Sequence, residues 1–185
     1  MALDFDKLFA TYRFSAWRLE VRDVYKIPGD DKRIAEFMRT GRAPRKTREN
    51  NGWIRTVEDA CARGAYIGRI RLVGHPLTDY TRFELSAYAD NVAAGEDIRL
   101  IDRMRLDPSW DAAPDVWVFD DKQAIKMFYS DDGAWLGFQE CEAAPYVNVR
   151  CVLTPLAVPL ADYQPTKIPT SRDEAFNVRL SEVIA

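Results

Sequence analysis

The sequence predicts a mixed α/β fold, a β-sheet with parallel and antiparallel strands and flanking helices. Three observations carry this. Across residues 5–101, helical apolar spacing alternates with short runs of branched and aromatic residues, the order produced by parallel strands joined through helical crossovers. Asp131-Asp132-Gly133 then separates two strand-like segments, a hairpin signal. Finally, 185 residues at 47% hydrophobic and 30% charged suit one globular domain with a real core.

Each element has its own warrant. Residues 5–12 read as a short amphipathic helix. Residues 14–24 alternate, with Trp17, Leu19 and Val21 opposite Arg18, Glu20 and Arg22, the period of a half-buried strand. Pro28-Gly29-Asp30 offers a turn and an N-cap, and Ile34, Phe37 and Met38 follow at helical spacing up to Gly41. The basic loop 42–50 leads to a helix from about Asn51 to Gly64, with Trp53, Val57, Ala60 and Cys61 on one face. Residues 66–73 form a branched strand, and 77–92 a helix with Tyr80, Phe83, Ala87 and Tyr88 at spacings of three and four. Residues 98–101 are a short strand and 116–119 a buried one. The hairpin pairs 124–129 with 134–141. Trp17, Trp53, Trp117 and Trp135 read as core or interface residues.

The domain is expected to close at residue 141. Residues 142–185 hold five of the ten prolines (Pro145, Pro155, Pro159, Pro165 and Pro169), which predicts an extended tail, ending in a helix over 171–184. No internal repeat or low-complexity tract is present.

Composition narrows function. The net charge is -3, from 26 Lys and Arg against 29 Asp and Glu, so there is no general basic footprint for nucleic acid. The one phosphate-facing run is Arg42, Arg45, Lys46 and Arg48. The three cysteines, Cys61, Cys141 and Cys151, are far apart and form no CxxC, which argues against a disulfide scaffold or structural zinc. The N-terminus lacks a basic region followed by an apolar run. No stretch approaches the roughly 20 apolar residues needed to span a bilayer. A reducing cytoplasm is the expected compartment.

Three segments are dense in functional groups: His75 to Leu85, Asn91 to Arg99, and Val116 to Lys122. In open α/β sheets ligands gather beyond the carboxyl ends of the strands. The turn after Val73 and the pair Asp120-Asp121 both follow strand ends. One polar cleft is therefore expected there, lined by Thr78, Asp79, Tyr80, Arg82, Glu84, Asn91, Glu96, Arg99, Asp120 and Asp121. Its mixed charge favours a polar or zwitterionic ligand, or a partner's charged peptide, over bare phosphate.

Structural roles compete at every position. Thr78 or Asp79 also suits a helix cap, Asn91 and Gly95 a helix end, and Asp120-Asp121 a turn. Arg82 is expected to pair with Glu84 or Glu96 in a buried ion pair. His75, before a proline, reads as a turn residue and is a weak catalytic candidate. No metal and no cofactor is called for.

LTDYTRFEL, NVAAGEDIR and VWVFDD, in that order and spacing, resemble an actinobacterial family of unknown function. Its members look like a single, degenerate half of the phospholipase D fold, over about residues 5–140. The resemblance implies an accessory or regulatory protein, often encoded near helix-turn-helix regulators or secondary-metabolite genes. It supplies no reaction. Phospholipase D chemistry needs a His nucleophile, a Lys two residues on and an Asp five further. The one histidine is followed by Leu77 at that position. Counting back from Asp120 reaches Ala113 and Asp115.

The sequence thus predicts a non-catalytic binding or regulatory protein that recognises a polar small molecule or a protein partner, such as a helix-turn-helix regulator. Membranes are excluded, nucleic acid enters only indirectly, and a homodimer is compatible. The alternatives are a hydrolase or phosphodiesterase-like enzyme using carboxylates and His75, and a nucleic-acid-associated protein using the 42–48 loop.

Overall fold

The computed structural model describes residues 4–164 and 177–184. At its centre is a seven-stranded mixed sheet. In chain order the strands are β1 (Ser15–Glu20), β2 (Tyr66–Val73), β3 (Asp97–Asp102), β4 (Asp115–Phe119), β5 (Gln123–Tyr129), β6 (Trp135–Glu142) and β7 (Val158–Pro159). Across the sheet they run β6-β5-β4-β1-β2-β3-β7. β1, β2 and β3 are parallel neighbours, with Ser15 opposite Tyr66 and Gly68 opposite Asp97. β4 pairs antiparallel with β1, and the β4-β5-β6 meander continues antiparallel. The mixed α/β class read from the sequence is therefore the fold.

Helices cover both faces. On one face lie α1 (Phe5–Thr11), α2 (Asp30–Thr40), α3 (Gly52–Ala62) and α4 (Asp79–Ala94); on the other lie α5 (Ala144–Leu153) and the short α6 (Leu180–Val183). Their ends are set locally. Asn51 caps α3 by accepting the Ile54 amide, and Thr78 caps α4 by accepting that of Thr81. Gly95 ends α4 at φ +112, where a Cβ would also meet the Cys61 sulfur at 2.5 Å. Asp30 falls inside α2 and the cap position belongs to Gly29, which has no side chain for the role. Asp30 pairs instead with Arg33 at 3.0 Å.

The parallel strands are buried on both sides, as crossover helices require. Trp17, Leu19, Ile70, Leu72 and Val116 face α5 and α6 in one cluster. Ala16, Ile67, Trp117, Phe119 and Ile125 face α1 and α3 in another. β1 is thus not half-buried. Its second face carries Arg18 and Glu20, and Glu20 is only 3% exposed. Trp17 and Trp117 are buried, whereas Trp135 on the edge strand β6 is 46% exposed. Cys61, Cys141 and Cys151 are free thiols. No helix among the described residues is long and apolar enough to cross a membrane.

The extended tail expected after residue 142 is corrected. Pro145 sits in the first turn of α5, where its missing N–H costs nothing, so it starts a helix rather than preventing one. Tyr146, Val149 and Leu153 then enter the core. Of the predicted terminal helix, 180–183 is helical as α6; residues 171–176 lie outside the described part. Trp110 ties this end down by donating to the Val178 carbonyl at 2.9 Å.

Leu153→Ala should cost about 2–5 kcal/mol in chemical denaturation, because the side chain is fully buried beneath the sheet. A change within error would place α5 off the core.

Candidate functional site

The unusual content of this sheet is charge. Arg18 and Glu20 on β1 and Arg69 and Arg71 on β2 project from the α4-side face at its centre. Glu20 gathers all three arginines. Its Oε1 lies 3.0 Å from both Arg18 and Arg69, and its Oε2 lies 3.3 Å from Arg71. The Tyr88 hydroxyl of α4 donates to the same carboxylate at 2.8 Å. Burial alone would raise the Glu20 pKa; the three guanidinium groups and Tyr88 hold it far below the usual carboxylate range.

Two further carboxylates balance the cluster. Glu96, just past the end of α4, accepts from Arg69 at 2.6 Å, from the Trp53 indole at 2.8 Å and from the Asn91 amide at 2.8 Å. Asp115 accepts a short hydrogen bond from the Tyr25 hydroxyl and lies 3.6 Å from Arg18. Burial raises the Asp115 pKa, opposed by Arg18 and Tyr25. Three cations thus meet three anions at largely buried positions, where each needs the others.

Above this floor is a cavity of about 300 Å³. Arg18, Glu20, Arg69, Trp117 and Tyr129 form the sheet side. Tyr80, Glu84 and Asn91 of α4, Trp53 of α3, and Asp30 and Arg33 of α2 form the walls. Trp53 and Trp117 sit 5.6 Å apart, and Phe9 meets both edge-on at 5.3 and 5.0 Å. The arginines lie against these rings, Arg69 at 5.7 Å from Trp53 and Arg18 at 5.8 Å from Trp117. The 42–51 loop closes one side. Its Ala43 and Lys46 amides donate to Ser86 and Asp90 of α4, and Lys46 Nζ reaches Asn91 Oδ1 at 2.7 Å.

The predicted site residues do not share one cleft. Tyr80, Glu84 and Asn91 line the cavity, and Glu96 supports it from beneath through Arg69, Trp53 and Asn91. Thr78 caps α4 and donates to the Asp23 carbonyl at 2.8 Å. Asp79 and Arg82 are exposed and lie 3.9 Å apart. The buried Arg82 pair with Glu84 or Glu96 is not formed, since residues two apart on a helix point to different sides. Arg99 pairs with Asp97 at 3.0 Å and lies beside Ile70, on the α5 side of the sheet.

Asp120 and Asp121 are farther still. Because β4 runs antiparallel to β1, its carboxyl end meets the amino end of the parallel strands, with Phe119 opposite Ala16. The turn after Val73 is at the other end. Asp120 there accepts the amides of Arg13, Phe14 and Ser15 at 2.7–2.9 Å, which lowers its pKa against the effect of burial. Asp121 pairs with Arg150 of α5 at 2.7 Å. Both residues take positive φ, 52 and 56, in a tight turn. His75 Nε2 lies 2.6 Å from Asp102 Oδ1, which also accepts from Tyr163. It does not line the cavity.

Arg18, Glu20, Arg69, Arg71, Trp53 and Lys46 were missed or read as structural or solvated. The signal was present: charges at alternate positions in two strands that crossover helices bury on both sides. Among the described residues no group of three or more His, Cys, Asp or Glu side chains is placed to hold a metal ion.

A family model described as a domain of unknown function, DUF6879, matches residues 3–165. The chain belongs to that family. Curated proteins offer no match to it. The matched span contains the whole sheet, α1 to α5 and every residue that lines the cavity. The site just described is thus built entirely inside the DUF6879 domain.

Glu20→Gln should cost about 3–5 kcal/mol at neutral pH, since it leaves three buried guanidinium groups without their shared anion. The depressed pKa fixes the pH dependence. Its stabilisation is present above the unfolded carboxyl value of about 4.3 and is lost as pH falls below it toward the folded value. Denaturation of wild type and variant across that range should converge in acid. Equal stability at pH 7 would refute the role given to Glu20.

Proposed function

We propose that this domain is a binding module for a polar small molecule, held in the cavity between the sheet, α4 and the 42–51 loop. The observation that carries the reading is the cavity itself. It combines aromatic walls with a small number of fixed polar groups, the usual make-up of small-molecule sites, and its volume is at the metabolite end of their range. Its floor is already paired, so its charges are held in place before any ligand arrives. Preorganisation of this kind reduces the cost of binding.

The competing readings have less support. A phospholipase-D-like active site would need a nucleophile in the cavity, and the one histidine lies outside it, against Asp102. In the 42–48 loop, Arg48 is engaged by Glu58 and Asp59, and Lys46 turns into the cavity, which leaves a weak basic surface for nucleic acid. A regulatory role, with a helix-turn-helix protein as partner, belongs to this proposal as what the motif resemblance implies. In that case ligand occupancy would be the signal passed on.

Trp53 and Trp117 both line the cavity, so binding should change intrinsic fluorescence. A library of polar metabolites should yield ligands that shift the emission and raise Tm in proportion to occupancy. Ile27, which lines the cavity and is 47% exposed, marks its lip. Ile27→Trp should block binding at least tenfold while leaving the fold intact by circular dichroism. Ligands that bind the blocked variant equally well would place the site elsewhere.

A further inference from the structure

Among the described residues, two ionic side chains that line the cavity form no ion pair. Glu84 projects from the middle of α4 and is 8% exposed. Among the described residues no donor lies within hydrogen-bonding distance of its carboxylate, and no cation is within ion-pair distance. Burial pushes its pKa up, against Arg71, Lys46 and Arg69. Lys46 donates one N–H to Asn91 and has no carboxylate within 4.0 Å. Burial pushes its pKa down, against the pull of Glu84. The other charges that line the cavity are engaged: Arg18 and Arg69 with Glu20, and Arg33 with Asp30.

The Glu84 carboxylate lines the cavity, where no protein donor meets it, so it is open to a donor that enters there. Such a donor would come most directly from Lys46, and the two groups do not close on each other. A ligand can satisfy both. A bare anion would meet Glu84 and a bare cation would meet Lys46, so neither suits the pair. A molecule carrying both signs does. Its apolar part would lie on the Trp53, Trp117 and Tyr80 rings, whose faces also attract an ammonium group.

We propose that the cavity takes a zwitterionic ligand of the amino-acid class, with its ammonium on the Glu84 carboxylate, its carboxylate on Lys46 Nζ and its side chain against the aromatic walls. This rests on the small-molecule reading of the cavity. Glu84 is then the residue that sets specificity for the ammonium group.

The test is calorimetric titration of the full chain with three matched probes: free L-phenylalanine, phenethylamine and 3-phenylpropionate, and the corresponding leucine, isoamylamine and 4-methylpentanoate set. The zwitterion of at least one set should bind, and removal of either charged group should weaken it tenfold or more. Glu84→Gln should abolish the preference for the amino acid over the acid, and Lys46→Met the preference over the amine. The Glu84→Gln protein should keep or raise its Tm without ligand, because a neutral group replaces an unpaired charge. A fall in Tm would make Glu84 a structural anchor and overturn the assignment. So would a panel in which no zwitterion binds, or acids that bind wild type and Glu84→Gln alike. In those cases the cavity can still answer to the wider library and the Ile27→Trp block, which test the small-molecule reading separately.

Discussion

The fold depends on one buried carboxylate. Glu20 lies on β1, the central strand of the sheet, and three guanidinium groups converge on it. Without that anion the parallel strands could not carry Arg18, Arg69 and Arg71 beneath α4. Buried ion pairs of this kind are often no more stabilising than well-packed apolar residues of the same volume. The cavity lies directly over this charged centre. The aromatic rings lie against the guanidinium groups and form the flat apolar walls of the cavity.

Much of the fold was legible because it follows local rules. The caps at Asn51 and Thr78 and the glycine end at Gly95 are short-range chemistry, and the hairpin around Gly133 is a turn rule. The helix 77–92 stood out through its aromatic spacing and is α4 nearly as read. Non-local facts were not legible. Whether β4 pairs parallel or antiparallel to β1 is decided by partners a hundred residues apart, and that choice alone separates Asp120 from Thr78 by the length of the sheet. The proline count after residue 142 misled because proline is harmless in a helix's first turn, and Pro145 is there.

The site divides the same way. Tyr80, Glu84, Asn91 and Glu96 were visible as a polar-rich helix and its end. What joins them to Arg18, Arg69 and Lys46 is tertiary, and a strand alternating charged and apolar residues reads as solvent-facing until both its faces are known to be covered. The second face of β1 and β2 is the point at which the ordinary rule for alternation fails. Such failures of local reading are expected where function overrides packing.

Lys46, Asn91, Glu96, Arg69 and Glu20 are linked in one unbroken series of polar contacts, from the loop at the rim to the middle of the sheet. Each interior member satisfies a neighbour on either side, so none can be exchanged without leaving a partner exposed to an empty space or a like charge. Substitution at one of these positions is therefore expected to be accompanied by substitution at its partners. Their variation across the family should be tied together residue for residue, and a lineage that gives up the anion at position 20 should have given up the cations at 69 and 71 as well. The history of the cavity would then be written in paired substitutions, which makes its inheritance traceable.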